Sequence, residues 1–226
     1  MTRPVVDTAA PSRQWSGLDR ETVRRGVEVL RNGGVIVVPT DTVYGLITLF
    51  DNADGIERIF NIKGRPAAKP LPILMSTAGE LPLITPAVPE IAWRVIGGFW
   101  PGPLTIILEG HRHLAAPLRN ETGGVGVRVP ALPAVLDLLE AVGLPVASTS
   151  ANRSGQPPAT SGPEAAAQLG AEVDLIVDGG DSPASGTAST VLDLTTSPAL
   201  IRRRGSIPMS AIRSALAARV DYALEA

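Results

Sequence analysis

The sequence predicts a three-layer α/β (α+β) domain built on a twisted, mixed parallel and antiparallel sheet. Short apolar, β-branched runs alternate along the chain with segments of helical periodicity, and three strand candidates follow one another closely near the C-terminus. The alternation is typical of helices packed on a sheet, and closely spaced strands favour some antiparallel pairing. With 226 residues and 44% hydrophobic content, the chain can bury such a core.

The first predicted elements are a helix over 18–31, which the sequence NGG stops, and a buried strand over 35–38 (VIVV). The stretch PTDTVYGL that follows is interpreted as a loop. The remaining expected helices cover 53–61, 88–98, 133–142, 163–169 and 208–220. The remaining expected strands cover 72–75, 104–108, 125–129, 144–148, 173–180, 189–194 and 199–205. We expect a flexible N-terminus (1–16), one catalytic domain (17–220) and a C-terminal tail (221–226).

Composition excludes several functional classes. The chain has no cysteine, so disulfides, thiolate metal sites and a cysteine nucleophile are absent. A net charge of -2 does not favour general binding to a polyanion, and any phosphate binding must be local. No window approaches the length of a membrane span or the pattern of a secretory signal. We therefore expect a cytoplasmic protein without membrane contact.

The stretch IKGRPAAKP (62–70) carries three cations within seven residues. Lys63, Arg65 and Lys69 lie on a segment that glycine and proline keep out of regular helix. A lysine point charge and an arginine fork together suit a polyphosphate. The alternative interpretation is a solvated basic loop.

Two further polar stretches follow predicted strands. STSANRSG (148–155) offers hydroxyls and an amide that suit phosphate, ribose or carboxylate, and the alternative is a cluster of caps and turns. In PTDTVYGL (39–46), Thr40 and Thr42 could hold a small polar ligand and Asp41 could act as a base or assist a metal. A capped turn explains the same residues equally well.

Arg128 is the one charge inside an otherwise apolar predicted strand. A buried guanidinium needs an anionic partner, which is either the carboxylate of a ligand or an internal Asp or Glu. Walker, G-x-S-x-G and H-E-x-x-H sequences are all missing, and His111 and His113 lie in a surface-like stretch.

The polar stretches and strands together form a specific pattern. In chain order the matching segments are GGVIVVPTDTVYGL, IFNIKGRPAAKPLPILMS, WPGPLTIIL, GVGVRVPALP, LPVASTSANRSGQPP, STVLDL and IRRRGSI. Over residues 17–215 the chain resembles the YrdC-like family, whose Lys-x-Arg and Ser-x-Asn pairs correspond here to Lys63/Arg65 and Ser150/Asn152. The resemblance is to the short single-domain form.

The resemblance implies an enzyme that makes L-threonylcarbamoyladenylate and pyrophosphate from L-threonine, bicarbonate or carbon dioxide, and ATP. Mg2+ would accompany ATP and be held by the phosphates, with no metal site built from protein side chains. The product would serve the t6A modification of tRNA, which the chain would reach only through a downstream threonylcarbamoyl-transferase complex. Oligomeric state is left open.

The resemblance also implies residue roles. Lys63 and Arg65 would be catalytic and grip the phosphates. The full ATP-binding set would be Lys63, Arg65, Lys69, Ser150, Asn152 and Arg203, and the threonine-binding set Thr40, Arg128, Ser148 and Ser189.

Three details bear on the site that the resemblance implies. Gly124 stands where relatives often carry a hydroxyl that contacts ATP. The bulky GLITLF after Tyr44 could narrow the pocket mouth. The choice of Arg203 within RRRG is one of register. Alternation along an extended segment predicts that residues 148, 150 and 152 face the same side.

Two other functions compete with this interpretation. A paralogue of the same fold could transfer a carbamoyl group through carbamoyl-adenylate, although such enzymes usually carry cysteine-rich extra domains. A non-catalytic RNA-binding or ribosome-assembly module is the other alternative, against which the negative net charge and 4% aromatic content argue.

Overall fold

One mixed sheet of eleven strands runs through the part of the chain that the structure, a computed structural model, describes: residues 5–8, 18–64, 69–182, 186–217 and 224–225. The strands are β1 Val5–Thr8, β2 Ile36–Val38, β3 Gly45–Leu49, β4 Ile73–Leu74, β5 Leu104–Glu109, β6 Gly124–Arg128, β7 Val146–Ser150, β8 Leu175–Asp178, β9 Thr190–Asp193, β10 Ala199–Arg203 and β11 Leu224–Glu225. The helices are α1 Arg20–Arg31, α2 Ala53–Lys63, α3 Glu90–Phe99, α4 Pro133–Val142, α5 Gly162–Leu169 and α6 Met209–Ala217, with short 3-10 helices over Ala78–Leu83 and Ala116–Leu118.

The sheet order is β1-β8-β2-β3-β7-β4-β6-β5-β9-β10-β11. Half of the strand pairings are parallel, including β2 with β8, β4 with β6 and β5 with β9, and half are antiparallel, including β3 with β7 and β5 with β6. The predicted mixed α/β architecture is therefore confirmed. The strands β1, β3 and β11 are not predicted by the sequence pattern, and β1 and β11 fall in the segments expected to be terminal tails.

Local sequence signals explain the helix boundaries. Asp19 caps α1 by accepting a hydrogen bond from the Thr22 amide at 2.8 Å, and the NGG stop follows directly, with Gly33 in the left-handed region at φ +81°. Helix α2 ends at Lys63 because Gly64 takes the left-handed conformation at φ +59°. This glycine turns the chain away at the point where the Lys63 side chain reaches the sheet.

Helices α2, α3, α5 and α6 cover one face of the sheet along most of its width. Helices α1 and α4 pack on the opposite face, where they cover β8, β2, β3 and the first residues of β7. Gly26 permits their close approach, since a Cβ there would lie 2.8 Å from Leu138 Cδ1. Among the described residues, helices therefore cover the second face at one end only, and its other end carries a concave cavity.

The segment GLITLF does not narrow this cavity, contrary to the expectation from sequence. It forms β3, whose Leu46 packs under the helix-covered face while Ile47 packs against α1 and α4. Period-two alternation sends these bulky side chains into the two hydrophobic clusters, and Gly45 is the residue of this segment that borders the cavity. Among the described residues, no helix has the length and apolar character needed to cross a membrane.

Candidate active site

A cavity of about 360 Å³ lies on the open part of the second sheet face. Strands β3 to β7, β9 and β10 border it, so residues distant in sequence meet there because the sheet order interleaves them. Six of the residues predicted from the sequence line this cavity, namely Thr40, Arg128, Ser148, Ser150, Ser189 and Arg203. The structure therefore brings the predicted threonine-binding set together with two members of the predicted ATP-binding set.

Arg128 lies at the end of β6 with its side chain 7% exposed. Its Nη2 donates to Asp41 Oδ1 at 2.6 Å, its Nη1 donates to Thr42 Oγ1 at 3.1 Å, and its Nε donates to the Gly102 carbonyl at 2.9 Å. Burial lowers the pKa of the guanidinium, and the Asp41 carboxylate opposes that shift. Asp41 is thus the internal partner that the sequence left as an alternative to a ligand carboxylate.

These three contacts leave part of the guanidinium available. Arginine has five N–H donors, so two remain after the bonds to described residues, one on each Nη atom. Each of these N–H groups can donate a charge-assisted hydrogen bond to an oxygen of a carboxylate. Arg128 can therefore hold its internal partner and a carboxylate ligand at once.

Two buried threonines shape the wall beside Arg128. Thr40 Oγ1 donates to the Val43 carbonyl at 2.6 Å, accepts from the Thr42 amide at 3.2 Å and lies 3.0 Å from Thr42 Oγ1. The sequence offered a capped turn or a ligand wall as alternatives, and the structure contains the turn, with both threonines beside the cavity. The turn is what holds Thr40 and Thr42 against the cavity.

Ser148 and Ser150 project into the cavity from alternate positions of β7, as the period of an extended strand requires. Asn152 does not continue this alternation, because the chain bends after β7 ends at Ser150. Its Oδ1 accepts from Ser150 Oγ at 2.6 Å, and its Nδ2 donates to the carbonyls of Arg153 and Gln156. Asn152 is not among the lining residues, and its amide holds the turn that follows Ser150, so its contact with the nucleotide stays a prediction.

Lys63 is placed differently from its predicted position in the phosphate site. The residue is 4% exposed and does not border the cavity. Its Nζ donates to the Ser150 carbonyl at 2.5 Å, to the Asn152 carbonyl at 2.7 Å and to Asn152 Oδ1 at 3.1 Å. The buried carbonyls at the end of β7 need donors, and the lysine at the end of α2 supplies them.

The other two cations predicted to bind phosphate are Lys69 and Arg65. Lys69 is exposed and also lies outside the cavity lining. Arg65 lies outside the described residues, as do its neighbours 66–68. The hydrogen bonds between Lys63 and Asn152 thus connect the Lys-x-Arg pair to the Ser-x-Asn pair behind the cavity wall. Of the described members of these two pairs, Ser150 is the one that borders the cavity.

A β-bulge explains which arginine of RRRG lines the cavity. The register of β10 against β9 shifts between Ile201 and Arg203, so Arg203 stands opposite Val191, which borders the cavity. Strict alternation would instead place Arg203 on the face of Ile201, which packs against the core. Arg202 pairs with Asp193, 2.8 Å between Nη2 and Oδ2.

Ser189 connects Arg203 to the strand beside it. Arg203 Nη2 donates to Ser189 Oγ at 3.0 Å, and its Nε donates to the Ser189 carbonyl at 3.0 Å. Ser189 Oγ also lies 2.9 Å from Thr105 Oγ1, which is buried in the cavity wall. The residues predicted for two different ligands, Ser189 and Arg203, are therefore in direct contact.

The sequence analysis did not single out four polar residues of the lining, namely Tyr44, Thr105, Asn120 and Thr149. Tyr44 Oη donates to the Gly180 carbonyl at 2.6 Å and accepts from the Gly179 amide at 3.1 Å, and burial raises the pKa of its phenol. Asn120 precedes β6 in the turn NETGG, and the only signal in the sequence is an Asn ahead of two glycines. Over the described residues, no three His, Cys, Asp or Glu side chains come together as a metal site.

Both the sequence and the fold of this chain are similar to those of known proteins. A protein family described as telomere recombination, Sua5/YciO/YrdC, matches residues 28–205. The chain is 35% identical over 194 residues to threonylcarbamoyl-AMP synthase of Pyrococcus abyssi, covering 86% of this chain and 57% of that relative. It is 34% identical over 213 residues to a putative threonylcarbamoyl-AMP synthase of Mycobacterium leprae, covering 94% of this chain and 93% of that relative.

The crystal structure of P. abyssi Sua5 complexed with L-threonine superposes with a TM-score of 0.85 at 34% identity, over 88% of this chain and 58% of that one. The chain thus spans little more than half the length of the P. abyssi protein and nearly all of the mycobacterial one. The family match covers well over half of the sequence and every strand that borders the cavity. On these grounds the chain belongs to the Sua5/YciO/YrdC family.

Proposed function

We propose that this chain synthesises L-threonylcarbamoyl-AMP from L-threonine, bicarbonate or carbon dioxide, and ATP, with release of pyrophosphate. The observation that carries the proposal is the cavity in which Arg128, with two available N–H groups, lies among buried threonine and serine hydroxyls. The names of the relatives, and the L-threonine bound to P. abyssi Sua5, support the same substrate.

In this proposal, Arg128 binds the carboxylate of threonine. The two remaining N–H donors form a bidentate pair with its oxygens, and the hydroxyls of Thr40 and Ser148 border the same part of the cavity. Asp41 keeps Arg128 oriented before the substrate arrives, so little side-chain ordering accompanies binding. Ser189 completes the set from the far wall.

ATP enters as its Mg2+ complex, with the metal carried by the phosphates. Ser150 and Arg203 supply a hydroxyl and a guanidinium at the cavity surface, and we assign both to the nucleotide. Lys63 acts from behind by fixing the end of β7, and Arg65 remains a proposed phosphate ligand on the strength of the family resemblance. Lys69 is proposed as a weaker helper from the exposed loop.

The reaction needs no covalent intermediate on the protein. The amine of threonine adds to carbon dioxide and loses a proton, forming a carbamate. A carbamate oxygen then attacks the α-phosphorus in line, the bond from that phosphorus to the bridging oxygen breaks, and pyrophosphate leaves. Holding two anions together and stabilising charge on the phosphate oxygens are the tasks left for the side chains.

The test is incubation of the full chain with ATP, Mg2+, L-threonine and bicarbonate, with pyrophosphate release and the adenylate followed by mass spectrometry. We expect pyrophosphate and threonylcarbamoyl-AMP in equal amounts. Turnover with carbamoyl phosphate but not with threonine would instead support carbamoyl transfer. Salt-sensitive RNA binding without ATP turnover would support a non-catalytic RNA-binding module.

The product is an activated mixed anhydride, which requires an acceptor. We propose that a downstream threonylcarbamoyl-transferase complex passes the group to tRNA, and that this chain contacts tRNA only indirectly, in the cytoplasm. Adding purified transferase components and tRNA to the same reaction tests this step. The modified nucleoside should appear only when both enzymes are present.

A further inference from the structure

The turn that precedes β6 contains an amide group whose two ends have different surroundings. Asn120 Oδ1 accepts hydrogen bonds from the Thr122 amide at 3.1 Å, from Thr122 Oγ1 at 2.9 Å and from the Gly124 amide at 2.7 Å. Three donors around one atom identify it as the oxygen, so the amide orientation follows from the network. In the described part of the chain, Nδ2 has no acceptor.

Asn120 lines the cavity together with Gly124, Gly126 and Arg128, the alternate residues of β6 that share one face of the strand. Nδ2 lies 2.9 Å from the position that a Cβ on Gly124 would occupy. The carboxamide therefore fills the space in which a side chain at 124 would stand. Gly124 is required for this arrangement, since any larger residue would meet Asn120 and Ile107, whose Cγ2 lies 2.8 Å from the same point.

Strand register shows which end of the cavity Asn120 occupies. Val127 of β6 pairs with Ile73 of β4, which pairs with Ala147 of β7. Strands β6 and β7 run in opposite directions. Gly124, three residues before Val127, therefore stands level with Ser150, three residues after Ala147. Gly124 and Arg128 are four residues apart on one strand, about 13 Å at the usual rise. A small amino acid held by Arg128 does not extend that far, so Asn120 lies at the end of the cavity shared with Ser150.

We propose that Asn120 is a nucleotide-binding residue whose Nδ2 donates hydrogen bonds to oxygen atoms of ATP. The inference rests on the proposed function, because it takes the ligand at the Ser150 end to be the nucleotide. A neutral amide with two N–H groups suits a ribose or phosphate oxygen, and the turn bonds hold it in place before ATP binds. The carboxamide of Asn120 thus occupies the space that a side chain at position 124 would otherwise fill.

The test is the substitution Asn120→Asp, which separates the two ends of the amide. Aspartate retains an oxygen for the three turn bonds and is a good residue for such turns, but it puts a negative oxygen where Nδ2 stood. We expect the dissociation constant for Mg-ATP, measured by calorimetry on the full chain, to rise about tenfold or more. The dissociation constant for threonine and the thermal midpoint should remain near those of the wild type.

Thr122→Ala is the matched control. Thr122 is exposed and donates to Asn120 Oδ1 from outside the cavity lining, so its loss perturbs the turn alone. ATP affinity within about twofold of wild type is expected for this variant. Equal weakening by both substitutions would overturn the proposal in favour of a purely structural role for Asn120.

Two further outcomes are distinguishable. If Asn120→Asp binds ATP as tightly as the wild type while the wild type makes threonylcarbamoyl-AMP, the assignment of Asn120 is wrong and the proposed function stands. If the wild type neither binds ATP nor forms the adenylate, the proposed function and this inference fail together.

Discussion

Arg128 and Lys63 are both buried cations, 6% and 4% exposed, and the sequence predicts both as ligands for anions. The structure separates them. Arg128 lines the cavity at the end of β6, whereas Lys63 extends from the end of α2 to the end of β7 and does not line it. A buried positive charge therefore indicates an anionic or carbonyl partner without showing whether that partner is a ligand or the chain itself.

The chemistry of the two side chains explains the difference. Arginine spreads five donors over a planar fork, so Arg128 bonds to Asp41, Thr42 and Gly102 and still has two N–H groups for a ligand. Lysine has three donors on one atom, and the carbonyls of Ser150 and Asn152 together with Asn152 Oδ1 provide three acceptors for Lys63. Arg128 can combine structural and binding roles, whereas Lys63 acts mainly on the shape of the wall.

Arg128→Ala should give the largest effect. The substitution leaves Asp41 buried without its charge partner, which costs about 3–5 kcal/mol of unfolding free energy. It also removes the guanidinium that we propose binds the threonine carboxylate. Urea denaturation and threonine calorimetry should show lower stability and loss of threonine binding. Arg24→Ala, which removes an exposed arginine from α1, should leave both measurements near wild type. Unchanged threonine affinity in Arg128→Ala would mean that its role is internal only.

Lys63→Ala should come next and would test the other half of the comparison. The Asn152 carbonyl loses its Lys63 donor, and the Ser150 carbonyl and Asn152 Oδ1 each lose one of two donors. This costs about 1–3 kcal/mol and loosens the turn behind Ser150. We expect a lower urea midpoint together with loss of turnover. Lys63→Met, which keeps most of the volume, should lose both as well, and wild-type stability in the two variants would contradict the capping role.

Ser189→Ala should have an intermediate effect on both substrates. It removes the hydroxyl that joins Arg203 to Thr105, so a residue assigned to the nucleotide and a residue assigned to threonine are both disturbed. We expect KM for ATP and for threonine each to rise about two- to tenfold. Ser206→Ala, which removes an exposed hydroxyl beside the same strand, is the control. A rise confined to threonine would show that the contact with Arg203 carries no coupling.

Lys69→Ala should give the smallest change. Lys69 is exposed and outside the cavity lining, so its attraction for a phosphate is screened by water and salt. KM for ATP should rise about twofold at low ionic strength and return to the wild-type value near 0.5 M salt. A large, salt-independent loss would show that Lys69 contacts the nucleotide directly.

Much of the fold follows from local sequence signals. Periodicity and stop residues place α1 to α6 within a few residues of their observed bounds, because NGG, the Gly64 cap and proline at the start of α4 act within one turn. Strand β3 was missed because its buried run follows a polar turn and contains Gly45 and Thr48. The edge strands β1 and β11 lie in the segments that the sequence pattern assigns to the terminal tails.

The residues of the site also divide into those that the sequence identified and those whose contacts only the tertiary structure shows. The residue types and order in KGR, STSAN, VRVP and RRRG determined the family and named six residues that do line one cavity. Only the tertiary structure decided that Asp41 pairs with Arg128, that Lys63 and Asn152 lie behind the wall, and that a bulge selects Arg203. The physical reason is range: caps, turns and alternation depend on neighbours in sequence, whereas hydrogen-bond partners depend on which strands the sheet order places side by side.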